Sequence, residues 1–243
     1  MNFLLKLAFL FAAGCLIGWG IEVLFRRFSP SNKSRRWINP GFLNGPYLPL
    51  YGFSLCLLYC LALLEPYFNL GNSVVNKLVL FLVMSVVVTA VEFVAGLIFI
   101  KGMHVKLWDY SQKRGNIMGI ICPQFSLAWA ALGAVYYFLI HPHILSALEW
   151  FASNLAFSFF IGLFYGVFSV DVWSSFRIAA KIRRFADENK LLVYYEELKE
   201  QIRATAETRK QKYRFLFALR SDTPLKEHLK NILDRHDKSK NEQ

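Results

Sequence analysis

The sequence predicts an all-α polytopic membrane protein of about five transmembrane helices, two of which begin in stretches broken by Gly and Pro, followed by a cytoplasmic helical tail. Composition is the first reason, because 55% hydrophobic residues and 23 Phe in 243 residues exceed what a soluble core of that size buries. Charge is the second, since 17 of the 28 Lys and Arg residues lie from Arg177 onward. The chain therefore divides into a transmembrane domain, residues 1–176, and a basic tail, residues 177–243.

Five apolar segments are long enough to cross a membrane. A bilayer core of about 30 Å is spanned by about 20 helical residues. The segments are 3–25, 42–64, 78–100, 117–140 and 151–176. Because the number of spans is odd, the two termini are expected on opposite sides of the membrane.

The distribution of basic residues among the loops predicts the orientation. The loops 26–41 and 101–116 are rich in Lys and Arg, whereas 65–77 has only Lys77 and 141–150 has none. Loops rich in Lys and Arg stay in the cytoplasm. We therefore expect the N-terminus outside and the C-terminus inside, in the cytoplasmic (plasma) membrane.

The first segment has an alternative interpretation as a secretory signal. Residues 10–15, which end at Cys15, resemble a lipoprotein cleavage site. However, the apolar run continues to Phe25, and Arg26 and Arg27 follow it rather than precede it. This order favours an uncleaved span.

The tail is predicted to contain amphipathic helices. Apolar residues recur at helical spacing at Ile178, Ile182, Phe185, Leu191, Tyr195, Leu198 and Ile202. A second helix is expected from Asp222-Thr223-Pro224 to about His236, because Pro suits the first turn. The tail could pack on its own membrane domain, dock a partner, or adsorb to anionic lipid.

Two apolar segments begin in Gly- and Pro-rich sequence, over residues 41–52 and 115–123. Regular helix is expected to start only near Pro49 and Pro123. Irregular backbone at membrane depth must be buried in protein or line a wet cavity. The helix N-termini would add partial positive charge there, which favours anions.

These two breaks suggest a weak internal repeat. Glu22 precedes Asn44 at nearly the same separation as Glu92 precedes Asn116. The common unit is a helix, an acid, a basic loop and a broken helix, and paired broken helices indicate a transport site. The alternative is that composition alone produced two similar stretches.

The ionisable residues within the apolar segments are the strongest functional candidates. Glu92 lies about 12 Å inside the third segment, where an ionisable group is costly. It could serve function or be a neutral acid hydrogen-bonded to another helix. Glu22, four residues before Arg26, favours an ordinary ion pair, and Asp171 is expected at the membrane interface.

The predicted transport or cavity residues either lie at or near the two breaks or are acids of the apolar segments. They are Glu22, Asn44, Gly45, Pro46, Pro49, Tyr51, Glu92, Asp109, Asn116, Gly119 and Pro123. Interface anchors are expected at Trp19, Trp108 and Tyr110.

No pattern in the sequence indicates catalysis, a metal site or a cofactor. Pro142 prevents helical ligand spacing between His141 and His143, and the four Cys residues lack CxxC spacing. The chain has no GxxxxGK[ST] motif, so ATP binding of that type would need a separate subunit. Nucleic-acid binding is not expected, because the tail mixes acidic with basic residues and is tethered to a membrane.

Several motifs together resemble one bacterial family. They are Gly18-Trp19-x-x-Glu22, then Gly41-Phe42-Leu43-Asn44-Gly45-Pro46-x-x-Pro49-x-Tyr51-Gly52, then Trp108-Asp109-Tyr110-Ser111, Asn116-x-x-Gly119 and Ile121-Cys122. In this order, over about residues 3–145, the chain is similar to the family described as "putative ABC-transporter type IV", CmpB-like. The resemblance implies a permease-like membrane component with no assigned substrate.

Three functions are consistent with these observations. The first is a transport component whose acids and broken helices line a polar cavity and which docks a separate ATPase. The second is a membrane scaffold or sensor whose tail recruits a cytosolic partner, with polar residues that only lock helices together. The third is an intramembrane enzyme that uses Glu22 and Glu92 on a lipid. A homo-oligomer is expected, because five spans are few for a complete pathway.

Overall fold

The computed structural model of the protein describes residues 3–30, 32–67, 72–209, 215–219 and 222–241. This part of the chain is mainly helical. The helices are α1 (Phe3–Phe28), α2 (Pro49–Ala62), α3 (Ser73–Met103), α4 (Pro123–Ala134), α5 (His141–Ser153), α6 (Leu155–Asn189), α7 (Tyr195–Thr208) and α8 (Leu225–Asn241). A 3₁₀ turn covers Glu65–Tyr67, a π-helical segment covers Val135–Ile140, and the strands are β1 (Val105–Lys106) and β2 (Val193–Tyr194).

Five helical stretches of the described residues are long and apolar enough to cross a membrane. They are Phe3–Phe28, Pro49–Tyr67, Ser73–Met103, Pro123–Ile144 and Phe159–Asn189. The predicted fold class, an all-α polytopic membrane protein, is confirmed.

Both broken segments become regular helix at the predicted prolines. Pro49 opens α2 and Pro123 opens α4, and the preceding residues Leu48 and Cys122 are extended. Proline lacks an amide hydrogen and has a helical φ, so it fits a first turn, where the amide has no intrahelical acceptor.

Helical structure covers one predicted loop and continues directly from the last apolar segment into the tail. Residues 141–150, predicted as a loop, belong to the helix α5, which has Pro142 in its first turn. The helix α6 continues past the apolar segment to Asn189. Its Arg, Lys, Ala and Ile residues are all compatible with helix, so a change of polarity at Arg177 does not end it. Lys190 then adopts a left-handed φ of 51°.

The described residues form two compact units. The first contains Met1–Gly20, Tyr47–Ala95 and Tyr110–Ser169, and the second contains Ile21–Pro46, Gly96–Asp109 and Val170–Gln243.

In the first unit, α1 and α2 approach closely through small residues. A Cβ added at Gly14 would lie 3.0 Å from the Gly52 Cα, and one at Gly18 would lie 2.2 Å from the Tyr51 ring. The Leu48 amide donates to the Cys15 carbonyl at 3.0 Å. The irregular backbone before α2 therefore finds a protein partner, as backbone away from water requires.

The second unit has a small apolar core around a two-stranded parallel pair. Val105 pairs with Val193, and Lys106 pairs with Tyr194. The core consists of Val105, Ile182, Phe185, Ala186, Val193, Tyr195, Leu198, Ile202 and Leu229. The apolar face that the tail sequence predicts is thus buried on α6 and α7.

Candidate functional site

The buried acid of the first unit is hydrogen-bonded to a tyrosine. Glu92 lies in α3 and is 2% exposed. The Tyr110 hydroxyl donates to Glu92 Oε1 at 3.2 Å. The ring of Tyr110 stacks on Phe125 of α4, with centroids 4.3 Å apart and planes inclined by 11°. Tyr110, predicted only as an interface anchor, therefore contacts the strongest candidate acid.

Tyr110 also begins a folded segment, residues 110–122, that precedes α4. Its amide donates to the Gly119 carbonyl at 2.8 Å, and the Ile117 amide donates to the Ile121 carbonyl at 2.9 Å. Ile120 and Cys122 are 1% and 2% exposed. The segment is therefore a compact turn structure with its own backbone hydrogen bonds.

Asn116 stabilises the middle of the 110–122 segment. Its side-chain amide donates to the Ser111 and Lys113 carbonyls at 3.1 and 2.8 Å. Its Oδ1 accepts from the Gly119 amide at 3.0 Å, and Gly119 has a φ of +65°. An amide side chain is needed because it both donates and accepts, and glycine is favoured at that φ.

In the second unit, a carboxylate binds the other broken segment. Asp171 Oδ2 accepts from the Gly45 amide at 2.7 Å, and Oδ1 accepts from the Asn44 side-chain amide at 2.7 Å. Ser175 donates to Asp171 Oδ1 at 3.1 Å. The sequence predicted Asp171 only at the membrane interface and did not indicate this role. Its only signal was that it is the single acid within residues 151–176.

A chain of alternating charges connects Glu22 to the tail. Arg26 Nε donates to Glu22 Oε1 at 2.9 Å, and Arg26 Nη1 lies 3.0 Å from Glu196 Oε1. Lys199 Nζ lies 3.1 Å from the same Glu196 oxygen and donates to the Asn39 carbonyl at 2.9 Å. Lys199 is 4% exposed. Glu196, Lys199 and Asn39 were not predicted, because the pairs Arg26–Glu196 and Lys199–Asn39 join residues that are distant in sequence.

The charges of this chain shift one another's titration. Burial raises the pKa of Glu196, but the nearby cations Arg26 and Lys199 outweigh it, so the pKa lies below the ordinary value of 4.5. Burial also lowers the pKa of Lys199, although the charge of Glu196 opposes this shift. The charged forms of the buried Lys199 and the part-buried Glu196 therefore stabilise each other.

Each unit links the acid and the asparagine of the predicted repeat through one network. In the first unit, Glu92 is connected to Asn116 through Tyr110 and Gly119. In the second unit, the ion-pair chain from Glu22 reaches Asn39, whose side-chain amide donates to the Asn44 carbonyl at 3.3 Å. The two linkages differ in chemistry, and a single cavity lined by all these residues stays a prediction.

The remaining predicted residues occupy varied surroundings. Tyr51 lies beside Trp129, with ring centroids 4.7 Å apart. Asp109 is exposed and pairs with Lys106 at 2.6 Å. Pro46 is exposed, whereas the anchors Trp19 and Trp108 are half-buried.

A second polar position in the first unit was not predicted. Tyr137 donates to Glu65 Oε2 at 2.7 Å, and Lys77 Nζ lies 3.9 Å from Glu65 Oε1. Glu65 lines a pocket of about 490 Å³ together with Asn76 and His141.

Among the described residues, no three His, Cys, Asp or Glu side chains are grouped as metal ligands.

Comparison with known proteins gives one match. No curated protein and no solved structure is significantly similar to the chain. The family model described as "Putative ABC-transporter type IV" matches residues 9–176. The match includes Glu22, Asn44, Glu92, Tyr110 and the 110–122 segment. Since it covers well over half of the sequence, the chain belongs to this putative ABC-transporter type IV family.

Proposed function

We propose that the protein is the membrane-embedded, permease-like component of a transport system, with Glu92 as the polar group on which its transport step depends. The observation that carries the proposal is the burial of Glu92 in an apolar helix, where it binds a tyrosine from the segment before α4. Family membership supports a transporter component.

The position of Glu92 favours function over simple helix locking. An ionisable group in a membrane-spanning helix is expensive, and such groups commonly belong to ion, proton or substrate pathways. Tyr110 is a hydrogen-bond donor to Glu92, and the Tyr110 amide binds Gly119 in the same segment. A change in the charge of Glu92 would therefore alter a bond that holds the 110–122 segment.

The bond between Tyr110 and Glu92 would couple the protonation state of an acid in the membrane to the conformation of the 110–122 segment. A carboxylate only accepts hydrogen bonds, whereas a protonated carboxyl group also donates. Protonation or cation binding at Glu92 would weaken the bond from Tyr110 and loosen the segment. The basic loop 101–116, predicted to be cytoplasmic, is where we place the contact with a separate ATPase.

The test is purification of the intact protein in mild detergent, with mass spectrometry of co-purifying proteins. We expect a stoichiometric nucleotide-binding subunit whose ATPase rate changes on association. A complex without ATPase, isolated under conditions that preserve known transporter complexes, would overturn the proposal. The same sample in light scattering tests the expected homo-oligomer.

Variants separate function from folding. Glu92→Gln keeps an oxygen acceptor for Tyr110 but removes the charge, so the ATPase response should be lost while the complex stays assembled. Tyr165→Phe is the matched control, because it removes a hydroxyl that donates to the Ala8 carbonyl at 2.9 Å in the same unit. An unchanged response in Glu92→Gln would exclude Glu92 from the transport step.

The orientation belongs to the same proposal. The basic loops favour an N-terminus outside and a C-terminus in the cytoplasm, with the protein in a bacterial plasma membrane. Reporter fusions active only in the cytoplasm should give signal at Gln243 and none at Met1. The reverse pattern would place the 101–116 loop away from any ATPase.

Recruitment of a cytosolic partner is a second candidate function. It is favoured by α8, which buries His228 and Leu229 but exposes Lys226, Lys230 and Arg235. Deleting the tail is a poor test, because residues from Ala186 onward supply much of the core of the second unit. Reversing the charge of these three exposed cations should release a cytosolic partner, while the complex with a nucleotide-binding subunit stays assembled.

A further inference from the structure

The part of α6 that lies in the second unit has an exposed stripe of mixed character. Its members recur at spacings of three and four residues and therefore share one face. They are Val170, Trp173, Arg177, Lys181, Arg184 and Glu188, all exposed. Val170 and Trp173 are 71% and 70% exposed. The stripe therefore passes from apolar residues, through a tryptophan, to three cations and a final acid.

The opposite face of the same helix is buried against the core of the second unit. Ala179, Ile182 and Ala186 are each at most 1% exposed and belong to or adjoin the core of the second unit. The exposed stripe is therefore fixed in orientation by packing on its other side. In the described part of the chain, Arg177, Lys181 and Arg184 form no ion pair, whereas the neighbouring Arg183 pairs with Asp187.

We propose that Trp173, Arg177 and Lys181 form a binding site for the phosphate group of an anionic phospholipid. Tryptophan favours the boundary between hydrocarbon and headgroups. Along the helix axis, Arg177 lies about 6 Å and Lys181 about 12 Å beyond Trp173. The headgroup layer is about 6 Å thick on each side, so Arg177 falls within it.

Side-chain direction brings Lys181 to the same layer. Side chains of a helix tilt toward its N-terminus, which for α6 is the direction of Trp173. Lysine also extends a long apolar stem before its charge. Arg177 and Lys181 are four residues apart, so they repel each other until an anion lies between them. A phosphate satisfies both cations.

Lipid fits this stripe better than an acidic protein. The apolar residues Val170 and Trp173 adjoin the cations without a break, and a phospholipid presents acyl chain and phosphate in the same order. Arg184 lies about 16 Å beyond Trp173, about 4 Å farther than Lys181, so the side-chain tilt that brings Lys181 into the headgroup layer leaves Arg184 outside it. Arg184 is therefore an internal control.

The experiment uses the full chain in mild detergent with equal amounts of phosphatidylglycerol and phosphatidylcholine of the same chain length. Native mass spectrometry then counts the retained lipids. We expect the protein to prefer phosphatidylglycerol, and Arg177→Gln or Lys181→Gln to reduce this preference by about fivefold each. Arg184→Gln, and Lys226→Gln on α8, should leave the preference unchanged.

Three outcomes would overturn the proposal. One is an unchanged preference in the double variant Arg177→Gln/Lys181→Gln, with circular dichroism showing an intact fold. Another is an equal loss in Arg184→Gln, which would indicate general charge attraction rather than a site. The third is loss of a co-purifying acidic protein with lipid preference retained, which would assign the stripe to a protein partner instead. The inference does not depend on the transport proposal.

Discussion

Tyr110 holds Glu92 and Gly119 at the same time: its hydroxyl donates to Glu92 Oε1 at 3.2 Å, and its amide donates to the Gly119 carbonyl at 2.8 Å. The first bond joins the segment to α3, and the second closes the turn structure before α4. A single tyrosine thus connects the state of a buried acid to the conformation of the 110–122 segment.

Tyr110→Phe should loosen this segment without unfolding the unit. The variant keeps the ring on Phe125 but removes the hydroxyl that donates to Glu92, at a cost of about 1.5–3 kcal/mol for a hydrogen bond to a charged carboxylate. Hydrogen–deuterium exchange of residues 110–122 should become faster. Tyr165→Phe should leave that exchange unchanged, and equal exchange in wild type and Tyr110→Phe would contradict the coupling.

Asp171→Ala should release the broken segment before α2. The change removes the acceptor of the Gly45 amide and of the Asn44 side chain, both at 2.7 Å. We expect a loss of about 3 kcal/mol in the free energy of unfolding, because both bonds go to a charged group. Thermal denaturation in detergent measures the loss.

A surface acid supplies the control for Asp171. Asp234→Ala changes the same charge on α8, where Asp234 is exposed, and should shift stability by less than about 0.5 kcal/mol. Similar destabilisation in both variants would mean that net charge, and not the bonds of Asp171, determines the effect.

The local features of this fold could be predicted from the sequence, because each depends on residues that are close together along the chain. Apolar length predicts the spans, and the missing amide of proline predicts that α2 begins at Pro49 and α4 at Pro123. The same logic failed at residues 141–150, which were predicted as a loop because they lie between two apolar segments, although Pro142 also suits a helix start.

Partners across the chain could not be predicted in this way. Periodicity identified the buried face of α7, but it does not say that Lys199 on that helix bonds to the Asn39 carbonyl. Likewise, Asp171 was visible as a lone acid, whereas its partners Asn44 and Gly45 follow only from the packing of distant elements. A single sequence therefore predicts which face of a helix is buried, but not which residues that face contacts.

Gly18→Ala should destabilise the contact between α1 and α2. A Cβ at Gly18 would lie 2.2 Å from Tyr51 Cγ and 2.3 Å from Tyr51 Cβ. Because Tyr51 Cβ is fixed to the backbone, the helices must separate, at a cost of about 1–3 kcal/mol. The double variant Gly18→Ala/Tyr51→Ala should recover part of this loss, as measured by thermal denaturation.

Gly20 provides a matched control on the same helix. A Cβ there meets nothing within 4 Å, so Gly20→Ala should be neutral or stabilise α1 by up to about 1 kcal/mol through helix propensity. If Gly20→Ala destabilises as much as Gly18→Ala, the effect comes from the helix backbone and not from contact with α2.

Glu196 should make the second unit sensitive to acid. Burial raises its pKa, but Arg26 and Lys199 hold the pKa below the ordinary value of 4.5. A carboxyl group with a lowered folded-state pKa stabilises the fold above its unfolded value, and this contribution disappears as the pH falls through the folded value. The melting temperature should therefore drop when the pH falls below 4.5.

Glu196→Gln should be less stable than wild type at pH 6 to 7, because Arg26 and Lys199 then lose their shared counter-charge. Its melting temperature should also change less on acidification, since the titrating group is gone. Glu200→Gln is the control, because Glu200 is an exposed carboxylate on the same helix. Parallel acid curves for wild type and Glu196→Gln would show that the acid sensitivity arises from other groups and that the Arg26–Glu196–Lys199 chain does not hold α7 in place.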